Sequence, residues 1–440
     1  MTSAAHLLEA VRSAEWVRRT GRISRFVGLN VESQGPDVKL GEVCEIRSRS
    51  AGTLAEVVGF AEGRVLLMPY EELLGVGIGS EVIATGETAH VRPGRHLLGR
   101  VIDGFGVPLD GKPLAQGPVR QPIYPPPINP LHRGMVRDIL ETGIRAIDSL
   151  LTLGRGQRVG IFAGSGVGKS TVLEMLARQV KADVRVIALV GERGREVKDF
   201  VEEGLSPEAR AKSVVVAATS DQPALLRRRA AFLATAIAEF FRDEGLDVCL
   251  MMDSVTRVAM AQREIGLASG ELPTARGYTP SVFALLPKLL ERGGVRGAGG
   301  SITSIYTVLV EGDDLADPIS DTVRATLDGH IVLSRAIAQR GRYPAIDITQ
   351  SISRLASAVV PEAEMRLVLE AVKMLAIYET SRDLIEVGAY REGTSAAVDR
   401  AIKLVPDLEQ FMAQRPGESE GRAAAMRRLQ TILGNAGRAA

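Results

Sequence analysis

The sequence predicts an α/β protein in three parts: an N-terminal β-barrel, a central parallel-sheet domain built round a P-loop, and a C-terminal helical domain. Three observations carry this expectation. Short Val/Ile/Leu runs separated by Gly and charged turns fill residues 21–92, the texture of closely spaced strands in a small barrel or sandwich. From about residue 145 to 355 strand-like and helical runs alternate, which argues for a mainly parallel sheet covered by helices. Beyond Pro361 the pattern is helical.

Taken in order, residues 1–20 open with a short helical pattern in which Leu7, Leu8, Val11 and Ala14 share one face. That helix either packs on its own domain or docks a partner. The strand runs of the 21–92 domain are Arg22–Val31, Gly41–Arg47, Leu54–Phe60, Arg64–Pro69 and Ser80–Ala84. The next domain, 93–355, contains a Pro-rich connector at 118–130. Proline lacks the N–H a ladder needs and clashes inside a helix, so this stretch reads as a rigid extended link. Strands follow at Val159–Ala163, Arg185–Val190, Ser213–Ala218, Val248–Asp253, Ser301–Val310 and His330–Leu333, with a long helix near 222–243. The last domain, 356–440, carries helices at Met365–Tyr378, Ala397–Gln414 and about 420–434.

Composition narrows the function classes. Lys and Arg number 54 against 53 Asp and Glu, a net charge of +1 in 440 residues, so charge supplies no general pull toward nucleic acid or anionic lipid. The two cysteines, Cys44 and Cys249, read as reduced, small apolar side chains of a cytoplasmic protein. The five histidines show no metal-ligand spacing. No apolar run reaches the roughly 18 residues of a membrane helix. Glu9, Arg12, Glu15, Arg18 and Arg19 interrupt what would be the apolar core of a secretion signal.

The chemistry-bearing segments come in three pieces. Ala163-Gly164-Ser165-Gly166-Val167-Gly168-Lys169-Ser170-Thr171 fits the P-loop pattern except at its first position, where Ala163 replaces Gly. A strand precedes it and a helix follows. The glycines let backbone N–H groups turn toward phosphate oxygens, and the helix N-terminus adds positive dipole. Lys169 would bridge the β- and γ-phosphates of ATP, and the Ser170 hydroxyl would ligate Mg²⁺. Asp253, ending an apolar strand, would hold the same Mg²⁺ through a water. Glu192, directly after the strand ending at Val190, reads either as part of a solvated charged turn or as a carboxylate that polarises the attacking water.

These pieces, with GERGREV at 191–197, DSVTR at 253–257, ELPTARGYTP at 271–280 and LDGHIVLSRAIAQRGRYPAIDITQSIS at 327–353, resemble the catalytic subunits of rotary ATP synthases and their protein-export relatives. FAGSGVGKS at 162–170, RDLIEVGAYREG at 382–393 and VDRAIKLVPDLEQFM at 398–412 are most similar to the flagellar, type III export ATPases. The resemblance implies a RecA-like nucleotide domain and a homohexameric ring with ATP and Mg²⁺ between neighbours. It implies that Glu192 is the catalytic glutamate, that Arg193 and Arg257 lie near the phosphates, and that Arg354 is an arginine finger donated across the interface. Tyr343 would stack on adenine, with Tyr390 as a second aromatic. The Ala163 departure is tolerable because Gly164, Gly166 and Gly168 remain. Implied partners are the export apparatus, a stalk protein, a negative regulator, and chaperones with their cargo. Membrane contact would be peripheral, and no nucleic acid is expected. The resemblance also implies that hydrolysis opens and closes the C-terminal domain against the nucleotide domain. The rival readings are an injectisome ATPase, an ATP synthase catalytic subunit, a Rho-like RNA translocase and a nucleotide-binding scaffold without turnover.

Overall fold

The computed structural model describes residues 18–435, apart from 49–51, 116, 298, 311, 313 and 315. The helix expected over 4–19 therefore lies, but for its last two residues, outside the described residues.

The chain divides into two compact units. The first contains residues 1–89 with 223–226 and 264–272; the second holds the remainder. In the first unit, strands β1 (Thr20–Val27), β2 (Asn30–Gln34), β3 (Glu42–Arg47), β4 (Gly52–Ala61), β5 (Arg64–Pro69) and β6 (Glu81–Thr88) close into a barrel in the order β1-β2-β5-β4-β3-β6. Alternation sets the inside: Val43, Glu45 and Arg47 point away while Cys44 and Ile46 are fully buried with Ala55, Leu67 and Val82. The run Arg22–Val31 is not one strand. It turns at Gly28, whose φ of 58° is a conformation only glycine adopts freely, and Val27 pairs with Asn30 across a two-residue hairpin. Hydropathy alone does not mark such a reversal, because apolar residues continue on both sides of it.

The second unit is built on one sheet. Its strands are β7 (Val101–Ile102), β8 (Arg158–Ala163), β9 (Val184–Val190), β10 (Ser213–Ala218), β11 (Asp247–Asp253), β12 (Ser301–Leu309), β13 (Gly329–Leu333) and β14 (Ile346–Ser353). They run in the order β14-β13-β8-β12-β11-β9-β10-β7. All neighbours are parallel except β13 and β14. Every residue of β9 and β10 is buried, as parallel strands covered on both faces require. The sequence pattern misses β14, whose Ser- and Thr-rich run IDITQSIS exposes much of its length as an edge strand.

Helices α1 (Arg145–Leu150), α2 (Lys169–Gln179), α3 (Ala224–Asp243) and α4 (Val255–Ala268) accompany the sheet. At the C-terminus come α5 (Glu362–Glu386), α6 (Ala396–Met412) and α7 (Arg422–Asn435). Helix α6 buries Ala401, Leu404, Val405, Leu408, Phe411 and Met412, a stripe at three- and four-residue spacing. That stripe joins one apolar core shared by α1, α2, the sheet and α5–α7. Within the 118–130 connector, Gln121–Pro122 pairs antiparallel with His90–Val91. Among the described residues, no helix is long and apolar enough to cross a membrane.

Candidate nucleotide site

The glycine loop follows β8 and leads into α2. Gly166 and Gly168 take φ values of 78° and 93°, so the loop curls without Cβ strain and presents the amides that begin α2. Val167 is buried and anchors the loop, while Ser165, Ser170 and Thr171 are exposed. Burial on the sheet side and exposure on the other is the division an anion cradle needs.

Strand order brings the carboxylates to this loop. Strands β9 and β11 are neighbours, with Leu189 opposite Asp253, so Glu192, just past β9, comes to the same sheet edge as Asp253. Strand β12 lies between β8 and β11, and this edge is also where the glycine loop leaves β8. Lys169 Nζ pairs with Asp253 Oδ1 and stands 3.8 Å from Glu192 Oε1. Lys169 and Glu192 line a cavity of about 720 Å³, with Asp253 held behind them on Lys169. The cavity is lined by the glycine loop, Glu192, Arg193, Thr256, Arg257 and Arg335, among others.

Glu192 is electrostatically unusual. Burial and the neighbouring Asp253 push its carboxyl up to about 7, against the opposing pull of Lys169. Its Oε1 is buried without a hydrogen-bond partner. A buried acceptor left so costs free energy unless something else satisfies it. Gly191 is required beside it. Its φ is 71°, and a Cβ there would come 2.9 Å from Arg257 Cβ. Arg257 therefore packs directly on the Glu192 turn, while Arg193 points outward toward Glu196 at 3.5 Å.

Two residues outside the sequence prediction complete this edge. Thr307 Oγ1, on the intervening strand β12, donates to Asp253 Oδ1 at 2.6 Å. Leu309 N donates to Thr256 Oγ1 at 2.8 Å, pinning the start of α4 to the end of β12. Arg335 is a further lining cation, beside Lys169, Arg193 and Arg257, that motif reading did not single out. The available signal was the run of buried Ser and Thr in β12, unusual for a central strand.

Of the remaining predicted residues, Tyr343 borders the loop while Tyr390 and Arg354 lie apart from it. The ring of Tyr343, 48% exposed, flanks the glycine loop: a Cβ on Gly168 would sit 3.6 Å from Tyr343 Cδ1. Tyr390 contacts α6 rather than the loop; its hydroxyl donates to Asp399 Oδ1 at 2.8 Å and accepts from Ser395 N at 3.2 Å. Arg354 sits at the far edge of the sheet. Its N–H bonds Asp328 O at 3.0 Å, and Asp328 N in turn bonds the carbonyl of Arg158 at the start of β8. At ~3.3 Å per residue, β8 separates that edge from the glycine loop by about 16 Å. The Arg354 backbone therefore lies about a strand's length from its own chain's glycine loop.

The residues fit a magnesium nucleotide. An exposed Ser170 hydroxyl at the first turn of α2 and the Asp253 carboxylate are oxygen donors of the kind Mg²⁺ takes. Lys169 and the amides of α2 suit phosphate oxygens.

Comparison with known proteins accounts for most of the chain. Residues 143–353 match the nucleotide-binding domain of the ATP synthase alpha/beta family, and 23–86 match its beta-barrel domain. Residues 360–431 match the T3SS EscN ATPase C-terminal domain. The flagellum-specific ATP synthase of Bacillus subtilis is 51% identical over 434 residues, 98% of each chain. The assembled ATPase EscN of the enteropathogenic E. coli type III secretion system superposes with a TM-score of 0.90 at 44% identity, covering 94% of this chain and 100% of EscN. EscN in complex with its central stalk EscO gives 0.87 at 43% identity, with the same coverage.

Proposed function

The chain belongs to the ATP synthase alpha/beta family, among its flagellar and type III export ATPases, and from that premise we propose that it hydrolyses MgATP as a homohexamer to drive flagellar export of unfolded proteins. The observation that carries the chemistry is the meeting of Lys169, Asp253 and Glu192 at the glycine loop. The same chain holds Arg354 at the opposite sheet edge.

In this reading Lys169 and the amides of α2 bind and orient the phosphates. Arg193 and Arg257 flank them. Mg²⁺, held by Ser170 and through a water by Asp253, would supply charge neutralisation at the phosphate oxygens. Glu192 orients water and takes its proton at the carboxylate, a role suited to a group poised near neutrality. Arg354 of one subunit completes the site of the next, and Tyr343 flanks the base; Tyr390, bound to Asp399 on α6, is left without a part in the site. Opening and closing of the C-terminal helices would pass turnover to chaperone-bound cargo. The EscN–EscO complex supports a central stalk partner here too. A negative regulator and peripheral attachment to the membrane-borne export apparatus complete the reading.

Phosphate release by the purified chain should rise more than linearly with protein concentration, because rings form as it increases. A linear dependence with full specific activity at the lowest concentration would remove the ring from the proposal. An injectisome role is favoured by the match of 360–431 to the EscN C-terminal domain. Deleting the gene distinguishes the two: loss of flagellar filaments supports the flagellar reading, and loss of effector secretion with normal motility supports the other.

A further inference from the structure

The segment after α6 touches both the Tyr343 turn and the C-terminal end of α2. Gln414 is one residue past the helix cap and 5% exposed. Its backbone N–H has no place in the helix ladder and instead donates to the carbonyl of Tyr343 at 2.9 Å. Its side chain is fully used. Oε1 accepts from Arg145 N at 2.8 Å, and Nε2 donates to Gly143 O and to Glu418 O, each at 2.8 Å. An amide has two donors and an acceptor, so this side chain is held from three directions and cannot rotate without leaving buried groups unpaired.

The surrounding contacts fix the same segment further. Arg145 reaches Ala413 O, Glu420 at 3.0 Å and Glu418 at 3.3 Å. Gln179, the last residue of α2, donates to Glu418 O at 2.9 Å. The helix that begins with Lys169 therefore ends on the turn that holds Tyr343. On its other side, the Tyr343 ring flanks Gly168. A short relay runs from the C-terminal helices through Gln414 to Tyr343 and on to the glycine loop.

We infer that Gln414 is the positioning residue that sets the base-side aromatic Tyr343, and thereby the affinity for the nucleoside half of ATP. This rests on the reading that Tyr343 faces the base. The phosphate half has its own anchors in Lys169 and the amides of α2, which Gln414 does not touch. Loss of its side-chain bonds should free the 413–418 turn and let the Tyr343 carbonyl drift, while the phosphate cradle stays in place.

The test compares two probes on the full chain: ATP and inorganic tripolyphosphate, which lacks a base. Gln414→Leu should raise the Kd and KM for ATP about fivefold to tenfold, the equivalent of about one hydrogen bond of positioning. It should leave the Kd for tripolyphosphate unchanged and kcat at saturating ATP within about twofold. Gln414→Glu keeps the acceptor for Arg145 N but loses both donors, and should fall between. If the leucine variant does not fold, as judged by thermal melting, the glutamate variant carries the same comparison. Equal weakening of ATP and tripolyphosphate, or a lowered kcat with unchanged KM, would overturn the inference. So would unchanged ATP affinity in Gln414→Leu alongside a selective loss for ATP in Tyr343→Ala. If Tyr343→Ala itself shows no selective loss, the base-site reading fails and the inference with it.

Discussion

The two edges of the central sheet differ in kind. The edge where β8, β9 and β11 end gathers a cation, two carboxylates and a helix N-terminus, with Lys169 and Glu192 lining one cavity. The opposite edge presents Arg354, bonded through its backbone to Asp328 and thus to the start of β8. One edge can bind and activate, and in the proposed function the other completes a neighbour's site. A parallel sheet enforces this separation, because residues at the two ends of its strands are kept a strand's length apart. Under that proposal both halves of the reaction lie in one chain at opposite ends of the sheet, as a self-sufficient ring of identical subunits requires.

The largest effect should come from the edge that acts at a distance. Arg354→Ala should lower turnover about 10³-fold or more, the scale of a lost arginine finger, with ATP binding by each chain preserved. Mixing it with Glu192→Gln should restore part of the activity, since an interface between the two variants pairs an intact Glu192 with an intact Arg354. No recovery on mixing, in rings shown to be mixed, would place both residues in one subunit's site and abolish the contrast between the edges.

Glu192→Gln alone should bind ATP normally and lose about 10²–10⁴ in kcat, measured by phosphate release. Its pH behaviour sharpens the same point. The carboxyl sits at about 7 because burial and Asp253 disfavour its charge, and only the ionised form accepts a proton. For the free enzyme, kcat/KM should therefore fall on the acid side of about pH 7 and level off above it. The glutamine variant should lack that limb.

A smaller effect than at Arg354 or Glu192 is expected at Thr307. Its hydroxyl is a donor to Asp253, so Thr307→Val, nearly the same shape, should cost about 1–2 kcal/mol, or roughly fivefold to thirtyfold in kcat/KM. The loss should be largest at limiting Mg²⁺ if Asp253 serves the metal. A change of less than twofold at every Mg²⁺ concentration would make Thr307 a bystander.

Much of this was legible in the residue order. The glycine loop is contiguous, and its context of strand and helix can be read from period and composition between Val159 and Gln179. The mostly apolar runs that became β9, β10 and β11 announced a covered parallel sheet, and the stripe of Ala401 to Met412 announced a packed helix. These features are set by neighbours along the chain. Backbone preference and burial face are decided within a few residues.

What tertiary structure alone decided is which distant segments meet. Thr307 reaches Asp253 because β12 is inserted between β8 and β11, an order that no periodicity encodes. Gln414 reaches Tyr343 because the C-terminal helices fold back on the nucleotide domain, and Arg354 is held away from Lys169 by the length of β8. Hydrophobic burial is non-directional and tells each segment to be inside, not beside whom. Strand order and docking geometry supply that second piece of information, and they bring Thr307 and Gln414, which the linear pattern left unmarked, to Asp253 and Tyr343.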